Sequence, residues 1–389
     1  MKIFELEKNT KRMLAEAKAR IDHPEDIIFD DGIEGAQRAL DAIKHASIDP
    51  TATTVKWDGT PAIIFGRDEG GFVFTDKSGF GAKKYDGMAR SQNMFRDMIY
   101  NRKPEEPGRL DYAGHLAKLY PLLEKSVPKN FQGYIQGDVM WMNRPPVEKD
   151  DAGNENFIIK PLKVRYKIPT ASALGDQISL SEAGVVVHSM FTSRDEEEPR
   201  AIESVASLGL TPPRRLVILS PEMQVEKTTV YPLANKLVGA VEQLIAKKGS
   251  AVKKFLDPYT IGSMKISNLG ELFKGYLNYK AGQGDADLSN AAQGFIDWVN
   301  NLALSKLTAN KQQNVIDHIS QNESGYKSVW QIVNALVNLK MDLKGQLDNH
   351  PGSEVSADIR GERGHEGFVS DTPHGKIKLV NRPVFMKKV

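Results

Sequence analysis

Residues 53–67 read TTVKWDGTPAIIFGR, and this stretch contains both a reactive side chain and the turn around which the fold can be predicted. Runs of β-branched and apolar residues on either side predict two strands, Thr53–Trp57 and Ala62–Arg67. Between the strands, Lys56 is followed after one residue by an aspartate and a glycine, which are typical turn residues. A lysine amine at such a reversal can attack the α-phosphate of a nucleotide if nearby cations or burial keep it neutral. The same short string is equally typical of a plain β-turn with an exposed lysine.

The chain on either side of this stretch has the pattern of a β-rich domain. A turn at Asp68–Gly71 predicts a hairpin, and a helical pattern from about Met88 to Glu124 interrupts the strands. The polar segment from Pro145 to Asn156 predicts a loop. The further strand candidates are Gly71–Asp76, Tyr134–Met140, Val164–Lys167, Gly184–His188 and Leu216–Ser220.

Helical periodicity replaces the strand pattern in the segment 226–350, where apolar residues recur every three to four positions. Strand patterns return at Gly367–Ser370 and Lys376–Val380. We therefore predict an α+β fold. Residues 1–225 and 351–389 would form one antiparallel-sheet domain, and 226–350 would be an inserted or appended all-α subdomain.

Composition narrows the class of protein. The 389 residues include 52 basic and 50 acidic side chains, a net charge of +2, so any basic surface must be local. The absence of cysteine excludes disulfides, thiolate metal sites and cysteine nucleophiles. The sequence lacks a signal-peptide pattern and any run of roughly 20 apolar residues. We expect a cytoplasmic monomer without a membrane partner, acting in the host cytoplasm if it is virus-encoded.

Charged residues recur at strand ends later in the chain. Asp138 follows a glycine on an otherwise apolar strand, Val185–His188 is an apolar run that ends in a polar group, and Glu366 begins another strand. Lys376 and Lys378 alternate with apolar residues, so both face one side of a strand. Each feature also has a structural interpretation, such as a solvated strand end or the wet face of an amphipathic strand. We expect the histidine to be structural.

In this order, the motifs resemble those of the covalent nucleotidyltransferase superfamily, which includes DNA ligases, RNA ligases and mRNA capping enzymes, and a phage-type polynucleotide ligase most closely. The segment Lys56–Gly59 resembles the nucleophile motif, and Thr75–Gly79 resembles the basic and glycine element that follows it. Gly137-Asp138 resembles the third motif, and Val185–His188 resembles the aliphatic strand after it. Glu366–Val369 resembles the fourth motif, and Lys376–Lys378 resembles the fifth. The resemblance implies the fold of a ligase adenylation domain, with ATP as the nucleotide.

The resemblance also implies catalytic roles. Lys56 would form the lysyl-nucleotide, assisted by Glu366. Lys376 and Lys378 would contact the α-phosphate, neutralise charge on the leaving pyrophosphate and favour the neutral amine of Lys56.

Cofactor contacts follow from the same resemblance. Asp138 and Glu366 would lie near the ribose and hold Mg²⁺ or Mn²⁺, since a hard cation prefers oxygen ligands. The full set of implied nucleotide-binding residues is Lys56, Asp58, Gly59, Lys77, Asp138, Val187, Glu366, Lys376 and Lys378.

Departures from the family pattern bear on the substrate. Thr60-Pro61-Ala62 stands where many DNA ligases and capping enzymes have an arginine, and Asp138 replaces the usual glutamate. Few residues follow Arg382, whereas an oligonucleotide-binding barrel needs about five strands. We therefore expect an RNA ligase, with a DNA nick ligase as the alternative. A non-catalytic nucleotide-binding interaction protein and an adenylyltransferase acting on a protein or metabolite are further alternatives.

Two basic segments are candidate surfaces for nucleic acid, and for the helical one a solvated helix face is an equally good interpretation. The helical segment contributes Lys247, Lys248, Lys253, Lys254, Lys265, Lys274 and Lys280, with Tyr276 and Tyr279 among them. The strand-like segment contributes Lys160, Lys163, Arg165 and Lys167, whose alternate members would face one side.

Overall fold

The computed structural model describes residues 21–83, 85–196, 199–202, 205–220, 229–266, 268–284, 292–304, 306–349, 355–359 and 361–386. Its strands are β1 (Thr53–Lys56), β2 (Ala62–Asp68), β3 (Gly71–Asp76), β4 (Gly133–Trp141), β5 (Val147–Lys149), β6 (Glu155–Ile159), β7 (Val164–Pro169), β8 (Ala183–Phe191), β9 (Arg200–Ala201), β10 (Leu216–Leu219), β11 (Ser356–Ile359), β12 (Glu362–Arg363), β13 (Gly367–Thr372) and β14 (Gly375–Val380). Its helices are α1 (Ile27–Ile48), α2 (Lys77–Phe80), α3 (Gln92–Tyr100), α4 (Arg109–Ala117), α5 (Leu119–Ser126), α6 (Ala173–Ser179), α7 (Asn235–Phe255), α8 (Pro258–Ser263), α9 (Leu269–Gly282), α10 (Ala292–Asn300), α11 (Ala309–Gln321), α12 (Glu323–Asp348) and α13 (Arg382–Met386).

The chain divides into two compact units, which we call the helical unit and the sheet unit. The helical unit comprises Met1–Thr53, Val225–His350 and Gly367–Val389, and the sheet unit comprises Thr54–Gln224 and Pro351–Glu366. This division differs from the predicted domains, because α1 and the β13–β14 hairpin group with the long helices. The predicted α+β class is confirmed, since helices accompany sheets whose pairings are mostly antiparallel.

A six-stranded sheet forms the centre of the sheet unit, with the order β10-β8-β4-β2-β3 and β9 beside β8. Only the pairing of β8 with β10 is parallel among the pairings of this sheet in the described residues. The predicted hairpin is present as β2 and β3, with Asp68 opposite Gly71. Helices α3 to α5 cover one face of the sheet, where the core includes Phe65, Phe74, Phe95, Leu123 and Val185.

A second, five-stranded sheet in the same unit has the order β12-β11-β7-β6-β5, with antiparallel pairings throughout. Its central strand β7 alternates as an amphipathic strand should: Val164, Tyr166 and Ile168 are buried, while Arg165 and Lys167 face the other side. Strands β11 and β12 enter this sheet only after the helical segment. The sheet is therefore assembled from two widely separated parts of the chain.

The segment from Pro145 to Asn156 is not the plain loop that its composition predicts. It contains β5 and the beginning of β6, joined by a turn in which the Asp150 carboxylate accepts hydrogen bonds from the N–H groups of Ala152 (3.0 Å) and Asn154 (2.8 Å). All three residues of β5 are exposed, so this edge strand lacks the apolar alternation that identifies a strand in sequence.

The helical unit is built around α1, α7 and α12. Buried residues of α12 recur every three to four positions, as in Val329, Val333, Leu336 and Leu343, which is the periodicity of a helix packed on a core. The hairpin β13–β14 belongs to this unit, and Ile377 and Leu379 of β14 are fully buried. No helix within the described ranges is both long and apolar enough to cross a membrane.

A cluster of buried charges links the two ends of the helical unit. Lys340 Nζ lies 2.5 Å from Glu25 Oε1, and the guanidinium of Arg382 pairs with the Asp26 carboxylate and lies 3.4 Å from Glu25. Burial alone would raise the pKa of Glu25, but the charges of Lys340 and Arg382 hold it at about 2. Each charge in this cluster therefore depends on its partners.

We predict that Lys340→Ala lowers the free energy of unfolding by about 3–5 kcal/mol, because it leaves the Glu25 carboxylate buried without its ammonium partner. The matched control is Lys327→Ala in the same helix. Lys327 pairs with Glu323 at 2.6 Å, but both side chains are more than half exposed, so its loss should cost about 0.5 kcal/mol or less. Urea denaturation followed by circular dichroism measures both changes, and equal losses would contradict the prediction.

His23 makes the stability of the helical unit depend on pH. Burial lowers the pKa of His23 to about 3, so the folded chain excludes a proton that the unfolded chain takes up near pH 6.5. This stabilisation is fully present above pH 6.5 and is lost as pH falls towards 3. We expect the advantage of the wild-type chain over His23→Gln to shrink by about 2 kcal/mol between pH 7 and pH 5. Parallel stability curves for the two proteins would exclude this role.

Candidate active site around Lys56

Lys56 ends β1 and makes a charged contact far along the chain. Its amine donates a hydrogen bond to Oε1 of Glu366, which lies 310 residues later in the sequence. The Lys56 side chain is 37% exposed, whereas that of Glu366 is 5% exposed. The lysine side chain therefore extends from a buried carboxylate to solvent.

Asp58 anchors the turn that follows Lys56. Its buried carboxylate accepts hydrogen bonds from the backbone N–H groups of Lys163 (2.9 Å) and Val164 (3.4 Å). Its own N–H donates to the hydroxyl of Tyr166 at 2.7 Å. The turn is thereby attached to the start of β7 by both its backbone and its side chain.

Trp57 and Tyr166 form an aromatic pair beside this turn. Their ring centroids lie 4.7 Å apart, and the Trp57 indole N–H donates to the Ser220 carbonyl at 3.3 Å. Burial raises the pKa of Tyr166, so its hydroxyl stays protonated over the ordinary pH range. Sequence reasoning did not select Tyr166. The available signal was its position between Arg165 and Lys167, which places it on the inward face of β7.

Asp138 lies in β4 on the sheet face opposite the helices. It is paired with Ala62 of β2 and Val186 of β8, and the next residue of its strand, Val139, belongs to the hydrophobic core on the other face. Gly59 passes directly over Asp138: a Cβ added to Gly59 would lie 2.6 Å from the Asp138 Cβ. Only a glycine permits this approach of the turn to the acidic strand.

Val187 and His188 lie on opposite faces of β8. His188 Nε2 lies 3.5 Å from Asp138 Oδ2, and its Nδ1 is 2.8 Å from the Ser189 hydroxyl, so His188 is an additional polar group beside Asp138. The side chain of Val187 is fully buried in the core under the helices. Val186, rather than Val187, has its side chain on the face of Asp138.

Glu366 is held in an unfavourable electrostatic environment. Burial raises its pKa, the charge of Lys56 offsets part of the rise, and the carboxylates of Asp58 and Asp138 add to it. Its second oxygen, Oε2, is buried and has no hydrogen-bond partner within the described ranges. Asp26 has the same two features, so what distinguishes Glu366 is its contact with a lysine that reaches solvent.

The Asp138 and Glu366 carboxylates could supply only part of the ligands of a cation. The described residues contain no group of three or more histidine, aspartate or glutamate side chains that could hold a metal ion. A Mg²⁺ ion, however, commonly takes one or two carboxylates together with phosphate oxygens of a substrate and several waters. The unsatisfied oxygen of Glu366 suits this second arrangement, with Asp138 as the other predicted ligand.

The three remaining predicted lysines are on α2 and β14. Lys77 is exposed at the first position of α2, directly after β3. Lys376 and Lys378 belong to β14 of the helical unit, and they share one face of that strand, as predicted, because Ile377 is buried on the other. Lys376 Nζ lies 3.0 Å from a carboxylate oxygen of Asp371. Within the sheet unit, the structure thus brings together Lys56, Asp58, Asp138 and Glu366.

The basic run on β7 is balanced by acidic neighbours. Arg165 pairs with Glu148 and Asp358, and Lys167 Nζ lies 3.1 Å from Asp358 Oδ2. Lys163 is exposed just before the strand. A cavity of about 440 Å³ on this face is lined by Arg165, Lys167, Ser356, Ala357, Asp358 and Gly361. The face is therefore polar rather than strongly cationic.

Two candidates for nucleic-acid contact in the helical unit are not at the surface. Lys274 is buried and pairs with Asp30 (2.7 Å) and Glu271 (3.0 Å). Tyr276 is 2% exposed, because it lies on the apolar side of α9 with Phe273. The predicted contacts through these two residues are wrong.

We predict that Gly59→Ala displaces Asp138, because the new Cβ would lie 2.6 Å from the Asp138 Cβ and 2.9 Å from the Met140 sulfur. The substitution should lower the free energy of unfolding by about 1–3 kcal/mol. The control is Gly81→Ala, where the nearest atom to the added Cβ is the Lys77 carbonyl oxygen at 3.7 Å. Thermal denaturation compares the two variants, and a wild-type stability for Gly59→Ala would rule out the close approach.

Comparison with known proteins gives a family but no activity. No curated protein and no solved structure matches the chain. Residues 19–388 match the model of DUF6267, which is described as a family of unknown function. Since the match extends over nearly the whole chain, the protein belongs to the DUF6267 family.

Proposed function

We propose that the protein is an ATP-dependent nucleotidyltransferase that forms a lysyl-AMP at Lys56 and uses it to join polynucleotide ends. The observation that carries the proposal is the contact between the amine of the partly exposed Lys56 side chain and the buried Glu366 carboxylate. The carboxylates of Asp58 and Asp138 lie in the same unit and act electrostatically on Glu366. A lysine and several acids around one turn supply the groups that nucleotidyl transfer requires.

The first chemical step needs a neutral amine at Lys56. Glu366 is in direct contact with the amine, and its raised pKa makes it a better proton acceptor than an ordinary carboxylate. After the proton passes to Glu366, the Nζ lone pair attacks the α-phosphorus of ATP. A P–N bond forms, the bond from the α-phosphorus to the β-phosphate oxygen breaks, and pyrophosphate leaves with that electron pair. The nitrogen then loses its second proton to water, which gives the neutral phosphoramidate nitrogen of lysyl-AMP.

Asp138 and Oε2 of Glu366 would hold Mg²⁺ against the nucleotide phosphates, while Oε1 of Glu366 takes the proton of Lys56. The cation supplies neutralisation of the phosphate charge when bound. Asp58 acts differently, because its oxygens are already engaged by the backbone at the start of β7. Its role is to fix the direction of the Lys56 backbone rather than to bind the ion.

Polynucleotide joining is the most specific form of the proposal. In the steps after lysyl-AMP formation, a 5′-phosphate oxygen attacks the AMP phosphorus and releases the Lys56 amine. A 3′-hydroxyl then attacks the activated 5′-phosphorus, forms the phosphodiester and expels AMP. RNA ends are the preferred substrate class, and nicked DNA is the alternative.

The test is incubation with ATP labelled at the α-phosphate and a magnesium salt, followed by acid precipitation. We expect covalent label on the wild-type chain, none on Lys56→Ala, and labelling about 100-fold slower or more on Glu366→Gln, because the proton acceptor is lost. Lys129→Ala, which removes an exposed loop lysine, should be labelled like the wild type. Covalent label that persists in Lys56→Ala would falsify the assignment of the nucleophile.

Acceptor specificity requires a second measurement. The labelled protein is mixed with single-stranded RNA that bears a 5′-phosphate, nicked RNA or nicked DNA. Joining of an RNA substrate supports the RNA ligase, and joining of nicked DNA alone supports the alternative. Label without joining of any acceptor would instead indicate adenylyl transfer to a protein or metabolite, and a chain that never takes up label would be a non-catalytic nucleotide-binding protein.

A further inference from the structure

Helix α7 of the helical unit presents one continuous exposed stripe. Its buried residues, Val241, Val252 and Phe255, mark the side that faces the core. The opposite side is exposed at positions spaced four, three, four, three and four residues apart, which is one face of a helix. These positions are Lys236, Ala240, Gln243, Lys247, Ser250 and Lys254.

Cations dominate this surface. Lys253 is exposed beside the stripe, and we call Lys236, Lys247, Lys253 and Lys254 the α7 lysines. The residues between them in the stripe are neutral and small or amide-bearing. From Lys236 to Lys254 the stripe extends over about 27 Å of helix axis. Lys248, which sequence reasoning grouped with them, is half-buried on the core side and is not part of this surface.

The α7 lysines differ from many other lysines of the helical unit in their charge balance. Lys44, Lys274, Lys327, Lys340 and Lys344 each pair with a carboxylate. None of the α7 lysines forms an ion pair within the ranges that the structure describes. The nearest acid along the helix, Glu242, is engaged by Lys44 at 2.5 Å. In a chain of net charge +2, this is a local excess of positive charge.

We infer that the α7 lysines bind the phosphate backbone of a single-stranded polynucleotide. A row of lysines along an exposed helix face neutralises successive phosphates, and the Gln243 and Ser250 side chains can donate hydrogen bonds to phosphate oxygens. The choice of a polynucleotide over another polyanion rests on the proposed function. By contrast, the cations of the β7 face are paired with acids, which favours α7 as the binding surface.

An exposed aromatic side chain follows the stripe. Tyr259 lies in α8, four residues after the end of α7, and is 85% exposed. Bases of single strands stack on such side chains while lysines hold the backbone. Tyr259 is therefore a candidate for stacking on a base, five residues after Lys254 in the sequence.

The test is fluorescence anisotropy with a fluorescein-labelled single-stranded RNA of about 20 nucleotides, without ATP, over a series of salt concentrations. Replacing all four α7 lysines with glutamine should weaken binding roughly 100-fold or more at about 100 mM salt. The slope of log affinity against log salt should fall by about 3, because four phosphate contacts are lost at about 0.7 each.

The matched control replaces four exposed lysines of the sheet unit, Lys103, Lys118, Lys125 and Lys129, with glutamine. It changes the net charge by the same amount, and its affinity should stay within about threefold of the wild type. Circular dichroism verifies that both variants are folded. Equal weakening of RNA binding by the two variants would overturn the inference, since the change in net charge alone would then explain the loss of affinity.

Tyr259 is tested separately from the lysines. Tyr259→Ala should weaken binding by roughly 5- to 100-fold with an unchanged salt slope, and Tyr259→Phe should restore it, because stacking needs only the ring. An equal loss in both variants would exclude stacking. Vesicles containing phosphatidylserine serve as a competitor, and wild-type binding to the vesicles but not to the RNA would overturn the choice of ligand.

The outcome is independent of the chemistry at Lys56. A wild-type chain that binds RNA through the α7 lysines but never takes up label from ATP would support this inference and reject the proposed function. A chain that is labelled at Lys56 but binds RNA regardless of the α7 lysines would support the proposed function and reject this inference.

Discussion

The candidate site depends on the buried carboxylate of Asp58. Two backbone N–H groups at the start of β7 donate to this carboxylate, and the Asp58 N–H donates to the Tyr166 hydroxyl on the same strand. An unsatisfied buried N–H costs about 1–3 kcal/mol, so the contact determines where the turn after β1 can lie. The position of Lys56 is therefore a tertiary property, maintained by a strand that begins more than a hundred residues later. The same anchoring brings Trp57 onto Tyr166 and Gly59 over Asp138.

Glu25 and Glu366 are buried carboxylates whose pKa values are shifted in opposite directions. In the helical unit, Glu25 meets Lys340 and Arg382, and these cations hold its pKa far below the ordinary value. Removing one charge from this network would leave its partners buried and uncompensated, so its members depend on one another. Glu366 has a raised pKa and one oxygen without a donor in the described part of the chain. Glu366 also differs from Glu25 in its partner, because Lys56 extends from the buried carboxylate to solvent, and the proposed function rests on this contact.

Local patterns in the sequence predicted the parts of the fold that are determined locally. The hairpin β2–β3, the amphipathic strand β14 and the α+β class follow from apolar alternation, helical periodicity and turn residues. The exposed edge strand β5 has no such alternation, and it could not be recognised. Within the site, the motif order singled out Lys56, Asp138 and Glu366, whereas Tyr166 and His188 required the pairing of distant strands. The burial of Lys274 likewise depends on Asp30, 244 residues away, which no local pattern reveals.

The discontinuity of the sheet unit has a consequence for biosynthesis. Lys56 and Glu366 are separated by 310 residues, and strands β11 and β12 pair with β7 only after the long helical segment has been made. At roughly 5–20 residues per second, a ribosome needs about 15–60 s to travel from one partner to the other. During this interval the nascent chain contains the lysine without its carboxylate and a sheet with an open edge. A ribosome that stalls within the helical segment therefore releases a chain that lacks the ion pair, so assembly of the site marks completion of translation through Glu366.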